Sequence, residues 1–407
     1  MGPLSDIRVL DLSRVLAGPI CTQTLGDLGA DIIKVERPGE GDITRKWGPP
    51  YLKDDNGKDT TESTYYLSAN RNKRSVTIDF SKSEGQDLIR ELLQHSDILV
   101  ENFTTGTLDK YGLGYEALKE AFPNLIYCSI TGFGHTGPEA HSPGYDFLIQ
   151  GLSGMMSITG EPEGSPQKVG ISIADISSGL YATIAILAAL HHREKTGEGQ
   201  FIDLSLLESQ MSLLSFVGQA YLTSGIVPTR LGNEHPHIVP YGAFKAKDAH
   251  IIIAVGTDQQ FEKLCTFAKV PELAKDPKFA TNDGRVRHRK ELLDLLNSIT
   301  EKHSAEYWMT GLSGVDVPCG PVNNIDQALQ HPQVAARHMI EKLSHPYVPG
   351  KDAEGLSMIA SPLRFSKSVL KNKKSPPPLG EHTQNVLKEI LDKTDEEIKS
   401  LRDGRII

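Results

Sequence analysis

Residues 7–36, IRVLDLSRVLAGPICTQTLGDLGADIIKVE, are the stretch that decides the fold. A short apolar run, Ile7 to Leu12, precedes a helix-like segment, Cys21 to Leu28, and a second short run, Ile32 to Glu36, follows it. This alternation is typical of parallel strands joined by crossover helices. The same pattern continues through residues 75–78, 84–94, 98–101 and 125–130. The sequence therefore predicts an α/β fold with a large Rossmann-like parallel sheet.

The second half of the chain indicates how the domains divide. After a helix-like run at Leu180 to Leu190, a strand pattern at Gln200 to Leu204 and an amphipathic segment at Leu206 to Tyr221 complete the first half. Near Val227 the composition becomes rich in Gly, Pro and His, and 407 residues exceed what one hydrophobic core usually supports. The expected parts are a large α/β domain over 1–226, a small α+β domain over 227–330, and a return segment, 331–407, that completes the large domain.

Composition argues against several classes of protein. The chain has 43 basic and 52 acidic residues and a net charge of −9, whereas nucleic acids and anionic membranes are bound by broad basic faces. The four cysteines lie far apart in the sequence, which argues against a zinc site or a disulfide framework. The apolar run Leu180 to Leu190 is too short to span a bilayer. We therefore expect no nucleic-acid partner, no membrane span and no metal.

One carboxylate, Asp175, lies in the stretch GISIADISSG, residues 170–179, directly before that helix-like run. We expect it at a helix N-terminus, where free backbone N–H groups and the helix dipole hold a carboxylate ionised. Aspartate is also a preferred N-cap residue, so a purely structural role is the alternative. This stretch by itself does not decide between the two roles.

Basic residues near the predicted strand ends indicate a phosphate ligand. The turn after the first strand lacks G-x-G-x-x-G, which argues against NAD. Two groups of Lys and Arg are present instead: Lys34, Arg37, Arg45 and Lys46 lie around ERPGEGDITRK, residues 36–46, and Arg71, Lys73 and Arg74 lie in ANRNKRS, residues 69–75. Guanidinium groups at the carboxyl edge of a parallel sheet suit phosphate. Coenzyme A, with its 3′-phosphate and pyrophosphate, would use both groups, and solvated loop charges are the alternative.

Several longer blocks together resemble a known family. They are VLDLSRVLAGPICTQTLGDLGADIIKVERPGEGD, SANRNKRSVTIDF, ENFTTGTLDKYGLGYE, ADISSGLYA, KTGEGQFIDLSLLES, VPCGPVNN and LGEHTQNVL. In these blocks the chain resembles the family III CoA-transferases, the formyl-CoA transferase group, over nearly its full length. The resemblance implies an interlocked homodimer in which the linkers of each chain thread the partner. It also implies an active site between the domains.

The resemblance assigns roles to particular positions. It implies that Asp175 is the nucleophile. It implies that CoA contacts Arg37, Asn72, Arg74, Asp79, Asn102, Phe103, Lys110 and Tyr145. CoA is then a substrate of the reaction, and no permanently bound cofactor is expected.

Two departures from the family pattern narrow the expected substrates. Leu16 stands where formyl-CoA transferases carry a Gln, and GNEHPH, Gly232 to His237, stands in place of their glycine-rich loop. Formate and oxalate chemistry is therefore disfavoured. A closer resemblance to one group of the family, in NRNKRS, GNEHPHIVPYGAFK and CSITGFGHTGP, implies transfer of CoA from succinyl-CoA, or a similar acyl-CoA, to a dicarboxylic acid such as glutarate. Gly232, His235 and His237 are expected to belong to a mobile substrate loop without a metal.

The chemistry of CoA transfer explains why an acid would stand at position 175. A serine or threonine nucleophile would end in an ester of low energy. Carboxylate attack gives an anhydride and then an aspartyl-CoA thioester, so the free energy of the thioester is retained. Donors for the oxyanion are expected from the helix N–H groups after Asp175 and from Gly232 or Gly242.

Two alternative functions stay open at the level of sequence. The 2-methylacyl-CoA racemases share the family fold and use a His directly before an Asp, but Tyr145 occupies the matching position here. Tyrosine, with a pKa near ~10, is a poor base at neutral pH. The other alternative is a catalytically silent CoA-binding protein. Resemblance to relatives predicts the mitochondrial matrix as the compartment, with the cytoplasm as the alternative.

Overall fold

The structure is a computed structural model that describes residues 2–54, 56–348, 355–370 and 373–407. The strands are β1 (Arg8–Asp11), β2 (Asp31–Glu36), β3 (Tyr51–Lys53), β4 (Asp59–Ser63), β5 (Lys73–Thr77), β6 (Ile98–Glu101), β7 (Ile126–Thr131), β8 (Phe201–Ser205), β9 (Tyr241–Lys245), β10 (His250–Ala254), β11 (Cys319–Pro321), β12 (Ile340–Leu343) and β13 (Leu356–Ile359). The α-helices are α1 (Ala17–Asp27), α2 (Thr64–Ser68), α3 (Ser83–Leu93), α4 (Tyr115–Leu118), α5 (Asp146–Leu152), α6 (Ile173–Thr196), α7 (Leu206–Ser212), α8 (Ser215–Ser224), α9 (Asp258–Phe267), α10 (Asn282–Arg287), α11 (Arg289–Thr300), α12 (Ala305–Ser313), α13 (Ile325–Leu329), α14 (Pro332–Ala336), α15 (Thr383–Leu391) and α16 (Asp395–Asp403).

Two compact units divide the chain. The first contains Met1–Met155, Val169–Leu222 and Arg337–Ile407, and the second contains Met156–Lys168 and Thr223–Ala336. The expected domain limits, 1–226, 227–330 and 331–407, stay a prediction.

The first unit is built on a parallel sheet. Within the described ranges it has six strands in the order β5-β2-β1-β6-β7-β8, and every neighbouring pair is parallel. Its strands carry near-continuous apolar runs because both faces are covered. Along β1, Val9 packs into the core on one face and Leu10 into the core on the other. The predicted α/β class with a Rossmann-like sheet is confirmed.

The strand order reverses at β1, which lies between β2 and β6. In open α/β sheets, ligands bind beyond the carboxyl ends of the strands at such a switch point. The segments that follow β1, β2, β5 and β6 therefore meet where a ligand is expected.

The second unit has its own small sheet and core. Strands β9, β10 and β11 form an antiparallel sheet in the order β11-β10-β9. Its core includes Phe244, Phe261 and Trp308, each at most 2% exposed. This unit agrees with the expected α+β character.

Helix α6 is longer than the apolar run suggested. It has 24 residues, and it is long and apolar enough by composition to cross a bilayer, with a mean hydropathy of 1.7 in its best window. Half of that window is buried inside the protein, where Ala182 and Ile186 join the core on one face of the sheet. The buried core helix of a globular protein can have the same length and hydropathy, so helix α6 is not evidence for a membrane span.

The amphipathic segment Leu206 to Tyr221 is helical along most of its length. The structure divides it into α7 and α8, and Ser215 at their junction has a φ of 45°. A left-handed residue cannot continue an α-helix, which is why the segment breaks there.

Candidate active site

Asp175 is the third residue of helix α6. Ser172 occupies the N-cap position, and its side chain makes no capping hydrogen bond. Asp175 is half-buried. The alternative role for Asp175, as the helix N-cap, is therefore wrong, because the chain enters the helix three residues earlier.

The helix start is capped by another acid, Asp146, the first residue of α5. Its Oδ1 accepts the backbone N–H of Ala174 at 2.8 Å and that of Asp175 at 3.4 Å. The Gln150 amide donates to the other Asp146 oxygen at 2.8 Å and accepts the N–H of Val169 at 2.9 Å. Asp146 and Gln150 thus fix the turn that leads into α6. Sequence reasoning missed both, although Asp146 follows Tyr145 directly.

The environment of Asp175 differs from the expected one. Burial, followed by the nearby carboxylate of Asp146, raises the pKa of Asp175 to about 7. The sequence had predicted a carboxylate held ionised by free helix N–H groups. That expectation is wrong because the Ile173 N–H donates to the Ile171 carbonyl at 2.9 Å, Asp146 accepts the next two N–H groups, and the Ile176 N–H donates to the Ser172 carbonyl at 3.0 Å. These N–H groups are likewise unavailable as oxyanion donors.

Tyr65, from helix α2, stands close to this acid pair. Burial raises the pKa of Tyr65, a hydrogen bond with the Ser172 side chain lowers it, and the charges of Asp175, Asp146 and then Asp42 raise it further. The ring is half-buried and lies edge-on to Trp47, with 5.0 Å between the ring centres. Tyr65 is a second residue that sequence reasoning missed.

A cavity of about 670 Å³ lies beyond the carboxyl ends of β1, β2, β5 and β6. Leu12 and Ser13 line it after β1, and Arg37 does so after β2. Its wall also contains Arg14, Lys34, Val35, Glu36, Glu40, Gly41, Asp42, Ile43, Lys46, Ile78, Asp79, Phe80, Ser81, Phe103, Thr104, Thr107 and Tyr111. Asp175 is absent from this wall. The charges of Asp175 and of Asp42, which lines the cavity, both raise the pKa of Tyr65.

The expected CoA-contacting residues divide between this cavity and other places. Arg37, Asp79 and Phe103 line the cavity. Asn102 instead binds the backbone of Arg14. Its side-chain amide donates to the Arg14 carbonyl at 2.6 Å and accepts the Arg14 N–H at 2.7 Å. Lys110 is exposed and lies beside Tyr111, which lines the cavity.

Asn72 and Arg74 lie away from the cavity wall. The Asn72 amide donates to Asp27 at 2.8 Å, and Arg74 forms ion pairs with Asp31 and Glu389. The contacts of Asn72 and Arg74 with CoA stay predictions. Because neither residue lines this cavity, the cavity does not support them. Tyr145 precedes α5 directly and is 70% exposed.

Most basic residues of the two sequence clusters are structural. Lys34 pairs with Asp42 and Lys73 with Asp11, and all four side chains are fully buried. Arg45 is likewise enclosed, between Glu36 and Glu62 at 2.8 Å and 2.7 Å. The expectation that a nucleotide would use both clusters stays a prediction, and the ion pairs of Arg71, Lys73 and Arg74 do not support it for the second cluster. Arg37 and Lys46, from the first cluster, line the cavity and are exposed.

The predicted substrate loop lies in the second unit. Gly232 has a φ of 61°, and its N–H donates to the Gly160 carbonyl at 3.0 Å. The rings of His235 and His237 have centres 6.1 Å apart, and burial, followed by the His237 charge, lowers the pKa of His235. Arg230 donates to the carbonyls of Glu161 and Gly164, which ties the loop to residues 156–168. The roles of Gly232, His235 and His237 stay predictions.

Comparisons with known proteins identify the family. The model of CoA-transferase family III matches residues 4–383. The human protein named succinyl-CoA:glutarate CoA-transferase is 43% identical over 405 residues, which are 100% of this chain and 90% of the human one. The succinate–glutarate CoA-transferase of Agrobacterium fabrum is 44% identical, over 95% of this chain and 96% of its own.

A solved structure agrees with this result. The crystal structure of a CAIB/BAIF family protein from Brucella suis has a TM-score of 0.84 and 46% identity, and the match covers 96% of this chain and 99% of that chain. A family model over nearly the whole sequence, relatives matched at full length and a cavity at the switch point of a parallel sheet lead to one conclusion: this chain belongs to CoA-transferase family III and is a CoA-transferase.

Proposed function

We propose that this enzyme transfers CoA from succinyl-CoA to glutarate through a covalent thioester on Asp175. The names of the human and Agrobacterium relatives support the substrates. The observation that carries the mechanism is the position of Asp175, a half-buried acid with a pKa raised to about 7 beside Asp146.

The reaction consists of matched acyl exchanges. A carboxylate oxygen of Asp175 attacks the thioester carbonyl of succinyl-CoA, the carbon–sulfur bond breaks, and CoA thiolate leaves a mixed anhydride. The thiolate then attacks the aspartyl carbonyl and releases succinate. A carboxylate oxygen of glutarate attacks the resulting aspartyl-CoA, which releases the thiolate again and leaves an anhydride between Asp175 and glutarate. The thiolate then attacks the glutaryl carbonyl, which forms glutaryl-CoA and frees Asp175. Each step exchanges one activated acyl group for another, so no step is strongly downhill.

The raised pKa of Asp175 suits this chemistry. With a pKa of about 7, roughly half of these side chains are ionised at neutral pH. Partial burial leaves the ionised carboxylate with less hydration than it would have in water. A poorly hydrated carboxylate is the reactive form that the first step requires.

Tyr65 is our candidate donor for the oxyanion. The first helix N–H groups of α6 are occupied, so another donor is needed near Asp175. The Tyr65 hydroxyl bonds to the Ser172 side chain and senses the Asp175 charge, and its raised pKa keeps it protonated at neutral pH. A donor aimed at the developing charge stabilises a tetrahedral intermediate.

Trapping of the covalent intermediate tests the mechanism. Incubation with succinyl-CoA, digestion and mass analysis should find CoA on the peptide that contains Asp175. Asp175→Asn, which keeps the side-chain volume, should bind CoA and give no adduct. An adduct that persists in Asp175→Asn, or exchange activity that survives in it, would remove Asp175 from the mechanism.

A panel of acceptor acids tests the substrates. With succinyl-CoA as donor, we expect the highest kcat/KM for glutarate among acetate, succinate, glutarate and adipate. His235→Ala and His237→Ala should raise the KM for glutarate more than the KM for succinyl-CoA if the loop contacts the acceptor. A preference for acetate would contradict the dicarboxylate proposal.

We also propose that the enzyme is a homodimer. The supporting observation is that one face of the first unit exposes many large apolar side chains. Along α6, Leu180, Ile184 and Leu187 are exposed and share one stripe at i, i+4 and i+7. Helices α5 and α7, which pack against α6, expose Phe147, Leu152 and Met211. Contiguous apolar patches mark interaction sites, and a second copy is the occupant that the family resemblance favours.

Sedimentation tests the dimer. We expect twice the chain mass for the wild type and a monomer for Ile184→Lys, which places a charge in the stripe. A wild-type monomer at micromolar concentration would contradict the proposal. The mitochondrial matrix, with the cytoplasm as the alternative, stays a prediction for the compartment.

A further inference from the structure

The turn between β1 and α1 is held in a strained conformation. Val15 has a φ of 68°, in the left-handed region that a β-branched residue rarely adopts. Such strain persists where surrounding contacts enforce it, and it concentrates at functional sites. Here Asp42 accepts the Val15 N–H at 3.2 Å, and Asn102 bonds to both the N–H and the carbonyl of Arg14. The backbone that presents Arg14 is therefore fixed from both sides.

The side chain of Arg14 lies over an aromatic ring at the cavity. Its guanidinium carbon is 4.3 Å from the centre of the Phe103 ring, and both residues line the cavity. Arg14 is exposed, so solvent and ligands can reach its side chain. Arg45 makes the same kind of ring contact in a structural role. Its guanidinium carbon lies 3.6 Å from the centre of the Tyr66 ring, but the side chain is buried between two carboxylates.

We propose that Arg14 stacks on the adenine base of CoA, with Phe103 supporting the guanidinium from beneath. A guanidinium is planar and weakly hydrated, and nucleobases stack on such planes. If Arg14 bound a phosphate instead, it would need only the N–H groups at the edge of its guanidinium. The aromatic ring beneath the guanidinium and the fixed backbone would then not be required. The inference rests on the proposed function, because it assumes that CoA binds in this cavity.

Binding of adenosine 3′,5′-bisphosphate, measured by calorimetry, tests the inference. Arg14→Gln removes both the charge and the guanidinium plane, whereas Arg14→Lys keeps the charge and removes the guanidinium plane. If the base stacks on Arg14, both variants should weaken binding alike, by about tenfold. If Arg14→Lys binds like the wild type, or neither variant differs from it, the stacking proposal is overturned. Lys119→Gln, an exposed surface change in the same unit, is the matched control.

A double-mutant cycle tests the role of Phe103. Phe103→Leu should weaken bisphosphate binding, and in the Arg14→Gln background the same change should add little, because the two side chains act as a unit. If the losses of bisphosphate-binding free energy were fully additive, Arg14 and Phe103 would not act as a unit, and the proposed support of Arg14 by Phe103 would be overturned. A wild-type protein that binds no bisphosphate and forms no CoA adduct would refute the proposed function. Normal wild-type binding with unchanged variants would refute this inference and leave the proposed function intact.

Discussion

The carboxylate of Asp146 accepts the backbone N–H of Asp175 at 3.4 Å, so the proposed nucleophile stands beside a second acid. Burial disfavours the ionised form of Asp175, and the charge of the second carboxylate adds to this effect. As a result the pKa of Asp175 is raised to about 7. The same Asp146 side chain caps helix α6, so one residue positions the proposed nucleophile and contributes to its raised pKa.

Asp146→Asn should move the pH dependence of the reaction. Asp175 must be ionised to attack, so kcat/KM of the wild type should fall as the pH drops through about 7. The Asn amide oxygen still accepts the helix N–H groups but carries no charge, so the pKa of Asp175 falls and the acid limb moves to lower pH. An acid limb at the wild-type position would contradict this prediction. Asp146→Ala, which also removes the cap, should in addition cost about 1 kcal/mol of stability.

Asp175→Asn should stabilise the protein at alkaline pH. Because the folded-state pKa of Asp175, about 7, lies above the ordinary value of 3.8, folding binds a proton between these pH values, and stability falls as the pH rises through that window. Above pH 7 the wild type must bury an ionised carboxylate, and the variant need not. Thermal unfolding should give a higher Tm for the variant at pH 8 and a shrinking difference towards pH 4. A lower Tm for the variant at pH 8 would contradict the assignment.

Tyr65→Phe should reduce turnover without reducing CoA affinity. Loss of one oxyanion donor typically lowers kcat by about 10²- to 10³-fold. The ring contact with Trp47 is kept in this variant, so folding should be unaffected. Steady-state kinetics and CoA binding measure the two effects separately, with Tyr347→Phe in the same unit as the control. Unchanged kcat in Tyr65→Phe would show that another group stabilises the oxyanion.

Arg37 and Arg74 should respond differently to the same substitution. Arg37 is exposed at the cavity, so Arg37→Gln should raise the KM for succinyl-CoA by about tenfold, as expected for loss of a charge-assisted hydrogen bond. Arg74 is paired with Asp31 and Glu389, so Arg74→Gln should lower Tm and leave KM unchanged. A higher KM without a loss of Tm in Arg74→Gln would restore its predicted role in CoA binding.

Several features could be predicted from the chain because they depend on neighbours in sequence. The periodic apolar runs in residues 7–36 predicted β1, α1 and β2, since burial on both faces demands such runs. Asp175 was correctly placed near a helix start because the apolar run after it is long. Arg37 follows a strand directly, and strand ends in a parallel sheet share one edge, so its place at the cavity was also predictable.

The remaining features depend on residues far apart in the chain. Lys34 and Lys73 resembled phosphate ligands by composition, but each side chain is fully buried against an aspartate, Lys34 on the interior strand β2 and Lys73 on the edge strand β5. Asp146 and Asp175 are 29 positions apart, and no local pattern indicates that they meet. By itself the sequence determined the sheet, the family and the candidate acid, because local periodicity and motif blocks encode them. Tertiary structure decided which charges are neutralised and what pKa that acid has, because electrostatic energy depends on distance in space and on burial.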